Sequence, residues 1–279
     1  MILVTGAKGQ LGSALMKRFG LLKIDAVGID IDDCDITDKK QVRVVLDRVS
    51  PDAVIHCAAY TAVDKAESEY DRCFEVNVQG TCNFAEECAD RDIKLLYTST
   101  DYVFSGDDDN APYETDAEVN PQSVYGKSKL AGEVAVRELC KKHFVVRISW
   151  VFGNGNNFIK TMLRLSKERD CISVVADQYG SPTYTEDLAV LLCDMILTEK
   201  YGTYHATNEG FCTWFELACK ALKEAGRETP VLPITTEDYP TAAKRPSDSR
   251  LSKRSLDEAG FSRLPHWEDA VERYIESLK

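Results

Sequence analysis

The stretch Ile2-Leu3-Val4-Thr5-Gly6-Ala7-Lys8-Gly9-Gln10-Leu11-Gly12 decides how the rest of the chain is read. An apolar run predicts a strand, and three glycines then interrupt it before helical spacing opens at Gln10. A side chain at such a turn would hold a pyrophosphate away from backbone N–H groups and from the helix N-terminus, so Gly6, Gly9 and Gly12 fit a phosphate cradle. Alone, the same pattern is also an ordinary tight turn. Asp30 lies 18 residues after Gly12, at the end of the next strand-like run. A carboxylate there accepts hydrogen bonds from an adenosine ribose and repels a 2'-phosphate. The pairing predicts dinucleotide binding, with NADH expected; Lys8 beside Gly9 can pair with a 2'-phosphate, which also allows NADPH. Asp35, in Cys34-Asp35-Ile36-Thr37-Asp38, either meets the adenine edge or caps the following helix, at Asp35 or Thr37, and spacing leaves both open.

Outward from this turn, short apolar or β-branched runs alternate with helical patterns. Ile2 to Val4, Asp25 to Ile29, Ala53 to Cys57, Lys94 to Ser99 and Phe144 to Ile148 predict strands. Gln10 to Phe19, Asp38 to Val49, Ala66 to Asp90 and Ser123 to Lys142 predict helices. Such alternation predicts an α/β fold, a doubly wound parallel sheet covered by helices on both faces. After Trp150 a Gly/Asn loop, Gly153 to Phe158, leads into mixed elements with prolines at 182, 230, 233, 240, 246 and 265. Helices are expected near Ser166, over Glu186 to Leu197 and over Trp214 to Ala225, with the strand order unreadable. His56 reads as a buried strand residue, and Asp107-Asp108-Asp109 as a solvated loop tip.

With 279 residues, 44% hydrophobic and 29% charged, the chain is long enough for a large core of the soluble globular kind. A formal net charge of −12 argues against a nucleic-acid or anionic-membrane partner, since either needs a basic face. The ten cysteines form no CxxC pair and fall mostly in apolar segments, where a free thiol acts as a small hydrophobe. No signal peptide is read before Ile2 and no apolar run approaches the roughly 18 residues that span a bilayer, so the cytoplasm is the expected compartment.

A strand ending in hydroxyls, Leu95-Leu96-Tyr97-Thr98-Ser99-Thr100-Asp101, brings Thr100 and Asp101 to the carboxyl edge of the sheet, where ligands of open parallel sheets sit. Downstream, Tyr125 and Lys129 stand four residues apart on one predicted helix face, about 6 Å from each other. A phenol titrates at about 10, and a neighbouring ammonium favours its ionised form. Carbonyl reduction leaves an alkoxide that Tyr125 can protonate while Thr100 polarises the same oxygen and Lys129 holds a ribose.

These residues together resemble the extended short-chain dehydrogenase/reductase family. Longer strings carry the likeness along nearly the whole chain: Thr5 to Gly12, Ala58 to Glu67, Ser99 to Gly106, Asn120 to Glu133, Arg147 to Leu163, Asp177 to Ala189 and Tyr239 to Leu251. The resemblance implies a Rossmann-type dinucleotide-binding domain over 1–150. It also implies a smaller α/β region, mainly for a sugar nucleotide, over 151–279, with some segments returning to the sheet. It implies reduction of the C4 ketone of dTDP-4-dehydro-6-deoxy-L-mannose (dTDP-4-dehydrorhamnose) to dTDP-L-rhamnose. Tyr125 is then the proton donor, Lys129 its partner and Thr100 the tuning hydroxyl. Gly9, Gln10, Leu11, Asp30, Asp35, Ile36, Ala58, Ala59 and Tyr60 line the cofactor, and Asp101 and Trp150 meet the sugar nucleotide. Asn156, Asn157, Arg245 and Arg250 follow as base or pyrophosphate contacts.

One departure concerns assembly. Some members of the family dimerise through a magnesium site built on a glutamate that corresponds here to Ala14, so despite Glu186 no metal bridge is expected, and the chain is read as a monomer or homodimer. Two rival readings remain. A dehydratase or epimerase of the same fold is one, although a dehydratase would carry a second carboxylate where Tyr102 stands. The other is a non-catalytic regulatory subunit like that of methionine adenosyltransferase, against which Asp101 weighs.

Overall fold

The computed structural model describes residues 1–107 and 112–279; Asp108 and Asp109 of the acidic run lie outside the described residues. The first half builds β1 (Ile2–Thr5), α1 (Gln10–Leu22), β2 (Ala26–Ile29), α2 (Lys39–Val49), β3 (Ala53–His56), α3 (Val63–Ala66), α4 (Tyr70–Phe74), α5 (Gly80–Asp90), β4 (Lys94–Thr100), α6 (Val124–Leu139) and β5 (His143–Ile148). There follow β6 (Val151–Phe152), α7 (Phe158–Glu168), β7 (Ile172–Val175), β8 (Tyr179–Gly180), β9 (Thr183–Tyr184), α8 (Thr185–Ile196) and β10 (Gly202–His205). The chain closes with β11 (Asn208–Glu209), β12 (Cys212–Thr213), α9 (Trp214–Glu224), β13 (Val231–Ile234), α10 (Arg254–Glu258), β14 (Leu264–His266) and α11 (Trp267–Ser277).

The main sheet runs β10-β5-β4-β3-β1-β2, with every pair parallel. Its strands are near-continuous apolar runs because both faces are covered. On one face Ile2, Val4, Ile55, Leu96, Phe144 and Val146 pack with Leu15 and Phe19 of α1 and Leu188 and Leu192 of α8. On the other, Leu3, Val54, Leu95, Tyr97 and Val145 pack with Val42 and Leu46 of α2 and Phe84 and Cys88 of α5. The strand order reverses beside β1, and in such sheets the crevice at that reversal is the binding site.

Local chemistry sets the helix starts. Asp38, not Asp35 or Thr37, caps α2 by accepting from Lys40 N–H. The Asp35 carboxylate instead accepts from the Thr37 N–H and hydroxyl in the preceding turn. Ser123 caps α6 by accepting from Gly126 N–H at 3.1 Å. The single helix expected over 66–90 is interrupted. The helix stops at Ala66 and resumes at Tyr70, and across this gap Glu67 accepts from Val124 N–H and Glu69 from the Tyr60 hydroxyl. A π-turn over Glu75–Gln79 then joins α4 to α5; such turns re-aim side chains and recur at functional sites.

Beyond Trp150 the chain divides. β10 adds the sheet's edge and α8 covers one face, while Phe152, Tyr184, Leu217, Trp267 and Tyr274 form a separate apolar cluster among α7, α9 and α11. Alongside it β13 pairs in parallel with β7. All ten cysteines are free thiols. No helix among the described residues is long and apolar enough to cross a membrane.

His56 and His205 are wholly buried. His56 Nδ1 lies 2.8 Å from the Thr5 hydroxyl. Burial pulls both imidazoles down to about 3, so between their usual 6.5 and about 3 each takes up a proton only on unfolding. The unfolded chain binds more protons in that window, and stability falls on acidification. Burial lifts Asp101 to about 6 and gives one smaller opposing contribution. Urea unfolding at pH 5.0 is expected to show roughly 2–3 kcal/mol less stability than at pH 7.5; equal stability at the two pH values would contradict the buried neutral imidazoles.

Candidate functional site

A cavity of about 790 Å³ follows the carboxyl ends of the strands, from Asp30, Asp35 and Ile36 past the glycine turn to Thr100, Tyr125, Lys129 and Trp150. Gly6 adopts φ +64°, and a Cβ on it would lie 2.9 Å from Ala58 N; one on Gly12 would lie 2.1 Å from Gly6 O. Only glycines let the turn lie against the segment after β3 and α1 lie against the turn. Gly9 caps α1 with no side-chain acceptor, which leaves the first-turn N–H groups beside cavity-lining Gly9, Gln10 and Leu11 for an anion.

At the far end of the turn, Asp30 accepts from the N–H groups of Lys8 and Ile31 at 2.8 and 2.9 Å. The Lys8 ammonium pairs with Asp32, a partner that the residue spacing did not suggest. Ala58, Ala59 and Tyr60 line the cavity, and Tyr60 is clamped through its N–H to Asn77 Oδ1 at 2.7 Å.

α6 carries Tyr125 and Lys129 into the other end of the cavity. The Thr100 hydroxyl donates to Asp101 Oδ1 at 2.9 Å and accepts from Tyr102 N–H. Asp101 Oδ2 is buried without a partner. Trp150 holds φ +47° and stacks on Trp214 with ring centroids 3.7 Å apart. A bulky residue in that region is backbone strain of the kind that collects at binding sites.

The electrostatics correct one expectation. Tyr125 is not drawn towards neutrality by Lys129: burial, and then the charge of Asp101, push the phenol up, opposed by the Thr100 hydroxyl. Lys129 is itself pulled down to about 7 by burial, against the attraction of Glu133. Loss of solvation outweighs the charge that the i, i+4 spacing promised.

One turn beyond Lys129, the buried Glu133 carboxylate accepts two bonds from Arg147, both 2.8 Å, and others from Arg137 and the Ser99 hydroxyl. Burial pushes this carboxyl up, but those donors outweigh it and hold it below the usual range. Arg147 also donates to Thr115 O at 3.1 Å and covers the Phe104 ring. The network ties α6 to β4 beside Thr100, to β5, and to the segment after β4.

Four expected contacts lie away from the cavity lining. Asn156 is exposed in the loop before α7. Asn157 caps α7, accepting from Lys160 N–H while its amide donates to Gly153 O and the Tyr274 hydroxyl. Arg245 donates to Asp64 at 2.7 Å and to the Tyr102 hydroxyl at 3.2 Å, one residue removed from the lining. Arg250 forks onto Asp248 and lies over Phe211. Glu186 pairs with Lys17 at 3.0 Å, Ala14 is buried beneath α8, and no cluster able to hold a metal occurs among the described residues. Ser99, Ser149 and Arg72 line the cavity without having been expected there. Ser99 had a signal, since it precedes Thr100 on the same hydroxyl-rich strand end.

Sheet, glycine turn and the Tyr125/Lys129 helix define a Rossmann-type short-chain dehydrogenase/reductase. Within that class the chain belongs to the RmlD substrate binding domain family, whose model matches residues 1–279. It is 41% identical over 287 residues to the dTDP-4-dehydrorhamnose reductase of Aggregatibacter actinomycetemcomitans, covering 97% of this chain and 96% of that one. A crystal structure of a dTDP-4-dehydrorhamnose reductase from Clostridium acetobutylicum superimposes with a TM-score of 0.97 at 40% identity, covering 99% of each chain. One from Bacillus anthracis, in complex with NADP, gives 0.96 at 45% identity over 99% of this chain and 98% of that one.

Glu133→Ala leaves Arg147 as a buried unpaired charge and is expected to cost about 3–5 kcal/mol of stability. Urea unfolding checks this, and a loss below about 1 kcal/mol would show that the network does not hold α6 in place.

Proposed function

We propose that this chain catalyses the NAD(P)H-dependent reduction of dTDP-4-dehydrorhamnose at C4 to dTDP-L-rhamnose. The observation that carries the reading is one continuous cavity joining an uncapped glycine turn to Thr100, Tyr125 and Lys129. The similar proteins that bear the name dTDP-4-dehydrorhamnose reductase support the substrate.

The residues present fit a dinucleotide. The cradle that a Cβ at Gly6 or Gly12 would fill lies beside the free N–H groups of α1, and the Asp30 carboxylate faces the same cavity. Gly6, Gly9, Gln10, Leu11 and Gly12 would hold the pyrophosphate, Asp30, Asp35 and Ile36 the adenosine, and Ala58, Ala59 and Tyr60 the middle of the molecule. Asp30 favours NADH. The relative crystallised with NADP supports use of NADPH as well, with Lys8 at the rim as the cation for a 2'-phosphate. When bound, the reduced nicotinamide supplies the hydride that turns the C4 carbonyl into an alkoxide.

Tyr125 then gives its proton to that oxygen. Its raised pKa suits this transfer, because the phenol is fully protonated beforehand and an alkoxide is a far stronger base than phenolate. Thr100 donates to the same oxygen, and Lys129 holds the ribose and stabilises phenolate as it forms. The unpartnered Asp101 Oδ2 accepts from a sugar hydroxyl, and Trp150 covers the sugar. Residues 1–150 serve mainly the cofactor and 151–279 mainly the sugar nucleotide. The protein works in the cytoplasm as a monomer or homodimer. Elimination is disfavoured because Tyr102, at the position of a dehydratase carboxylate, packs edge-on against Tyr125 with centroids 5.6 Å apart.

Tyr125→Phe is expected to leave cofactor binding nearly intact and to lower kcat by roughly 10²- to 10⁴-fold; near-normal turnover removes Tyr125 from the role. Asp30→Ala is expected to shift preference towards NADPH, measured as the ratio of kcat/KM for the two cofactors, and an unchanged ratio refutes the ribose contact.

A further inference from the structure

Lys129 is buried, 3% exposed, yet the carboxylate nearest in sequence, Glu133, is committed to Arg147 and Arg137. What lies against its ammonium is the face of Tyr97 from β4, with Nζ 4.1 Å from the ring centroid. The other titratable groups that act on it are His56 from β3, Cys57 just after it, Cys73 from α4 and Glu133 from α6, and Tyr125 stands one turn before it on α6. Burial keeps His56, Cys57, Cys73 and Tyr125 in their neutral forms near pH 7. Among these described groups Glu133 is therefore the one formal negative charge, and the ring face of Tyr97 lies against the ammonium.

The ring is fixed from three sides. Its hydroxyl reaches Lys129 O at 3.4 Å, and His56 stacks on it at 6.0 Å between centroids. A Cβ on Gly132 would lie 2.3 Å from the phenolic oxygen. Glycine inside a helix costs about 1 kcal/mol relative to alanine, and at Gly132 it is what lets the ring lie flat beneath Lys129.

We propose that Tyr97 is a positioning residue for the reaction: its ring face holds the Lys129 ammonium charged and in place at the cavity wall, where a buried lysine would otherwise need a carboxylate. The proposal rests on the reductase reading for its importance, since a charged Lys129 is what orients a ribose and stabilises phenolate. The ring contact itself can be tested independently of turnover.

The experiment follows the Lys129 titration in the full chain by NMR of ¹³C at the lysine ε-carbons, with the signal assigned by its loss in Lys129→Arg. Tyr97→Phe keeps the ring and is expected to leave the midpoint within about 0.3 pH units, whereas Tyr97→Leu is expected to lower it by about one unit. Pentafluorophenylalanine at position 97 keeps the volume while reversing the charge on the ring face, and the same downward shift is expected; this arm decides the matter if the leucine variant does not fold. The alkaline limb of the kcat profile should move with the midpoint in each variant. An unmoved midpoint in the fluorinated variant, or a Tyr97→Phe shift as large as that of Tyr97→Leu, overturns the proposal. If the chain does not reduce the sugar nucleotide but the midpoints behave as stated, the functional reading fails and the ring contact stands.

Discussion

The Glu133 carboxylate has no solvent and three donors that depend on it. Arg147 brings β5, Arg137 brings the outer face of α6, and Ser99 brings the strand end next to Thr100. An ion pair this deeply buried gains little net stability, because desolvation offsets its attraction, but breaking it is costly. Its consequence is geometric. Tyr125, Lys129 and Glu133 sit at successive turns of one helix, so fixing the third side chain fixes the rotation and depth at which the first two enter the cavity. The Tyr125 and Lys129 end of the cavity is thus set by a charge network beneath it.

The other end is set by the close approach of backbone to backbone. Gly12 brings α1 against the turn and Gly6 brings the turn against Ala58, at separations that no side chain tolerates. The parallel topology puts this turn where the strand order reverses, opposite the carboxyl end of β4. One cavity joins the two ends because both belong to one edge of one sheet. Between them Asn77, on the π-turn, holds Tyr60 through its side-chain oxygen and donates to the Ser128 hydroxyl, which in turn donates to Tyr125 O. The loop after β3 and α6 therefore share a polar link.

Much of this was legible in the amino-acid order. Strands buried on both faces leave unbroken apolar runs, and glycine at a phosphate turn has few substitutes, so β1 to β5 and the turn are readable locally. β10 was not, because Gly202 to His205 is four residues long and pairs with residues 58 positions earlier, Gly202 opposite Phe144. Asn157 caps α7, and an N-cap and a ligand call for the same side chain, so residue type alone does not separate the two roles. The sign of the Tyr125 shift was misread because spacing shows charge and conceals burial. Glu133 and Tyr97 act through neighbours on other elements, so nothing in their own surroundings along the chain marks them.

The proposed delivery of hydride and proton to one carbonyl, both at the Thr100, Tyr125 and Lys129 end of the cavity, is a specific claim about one ketone. Its most direct measurement is nicotinamide oxidation by the purified chain with dTDP-4-dehydrorhamnose, set beside the unepimerised glucose-configured precursor. Stoichiometric oxidation of NADH or NADPH with the first, yielding dTDP-L-rhamnose, is the predicted result. No oxidation with either sugar nucleotide would contradict the account.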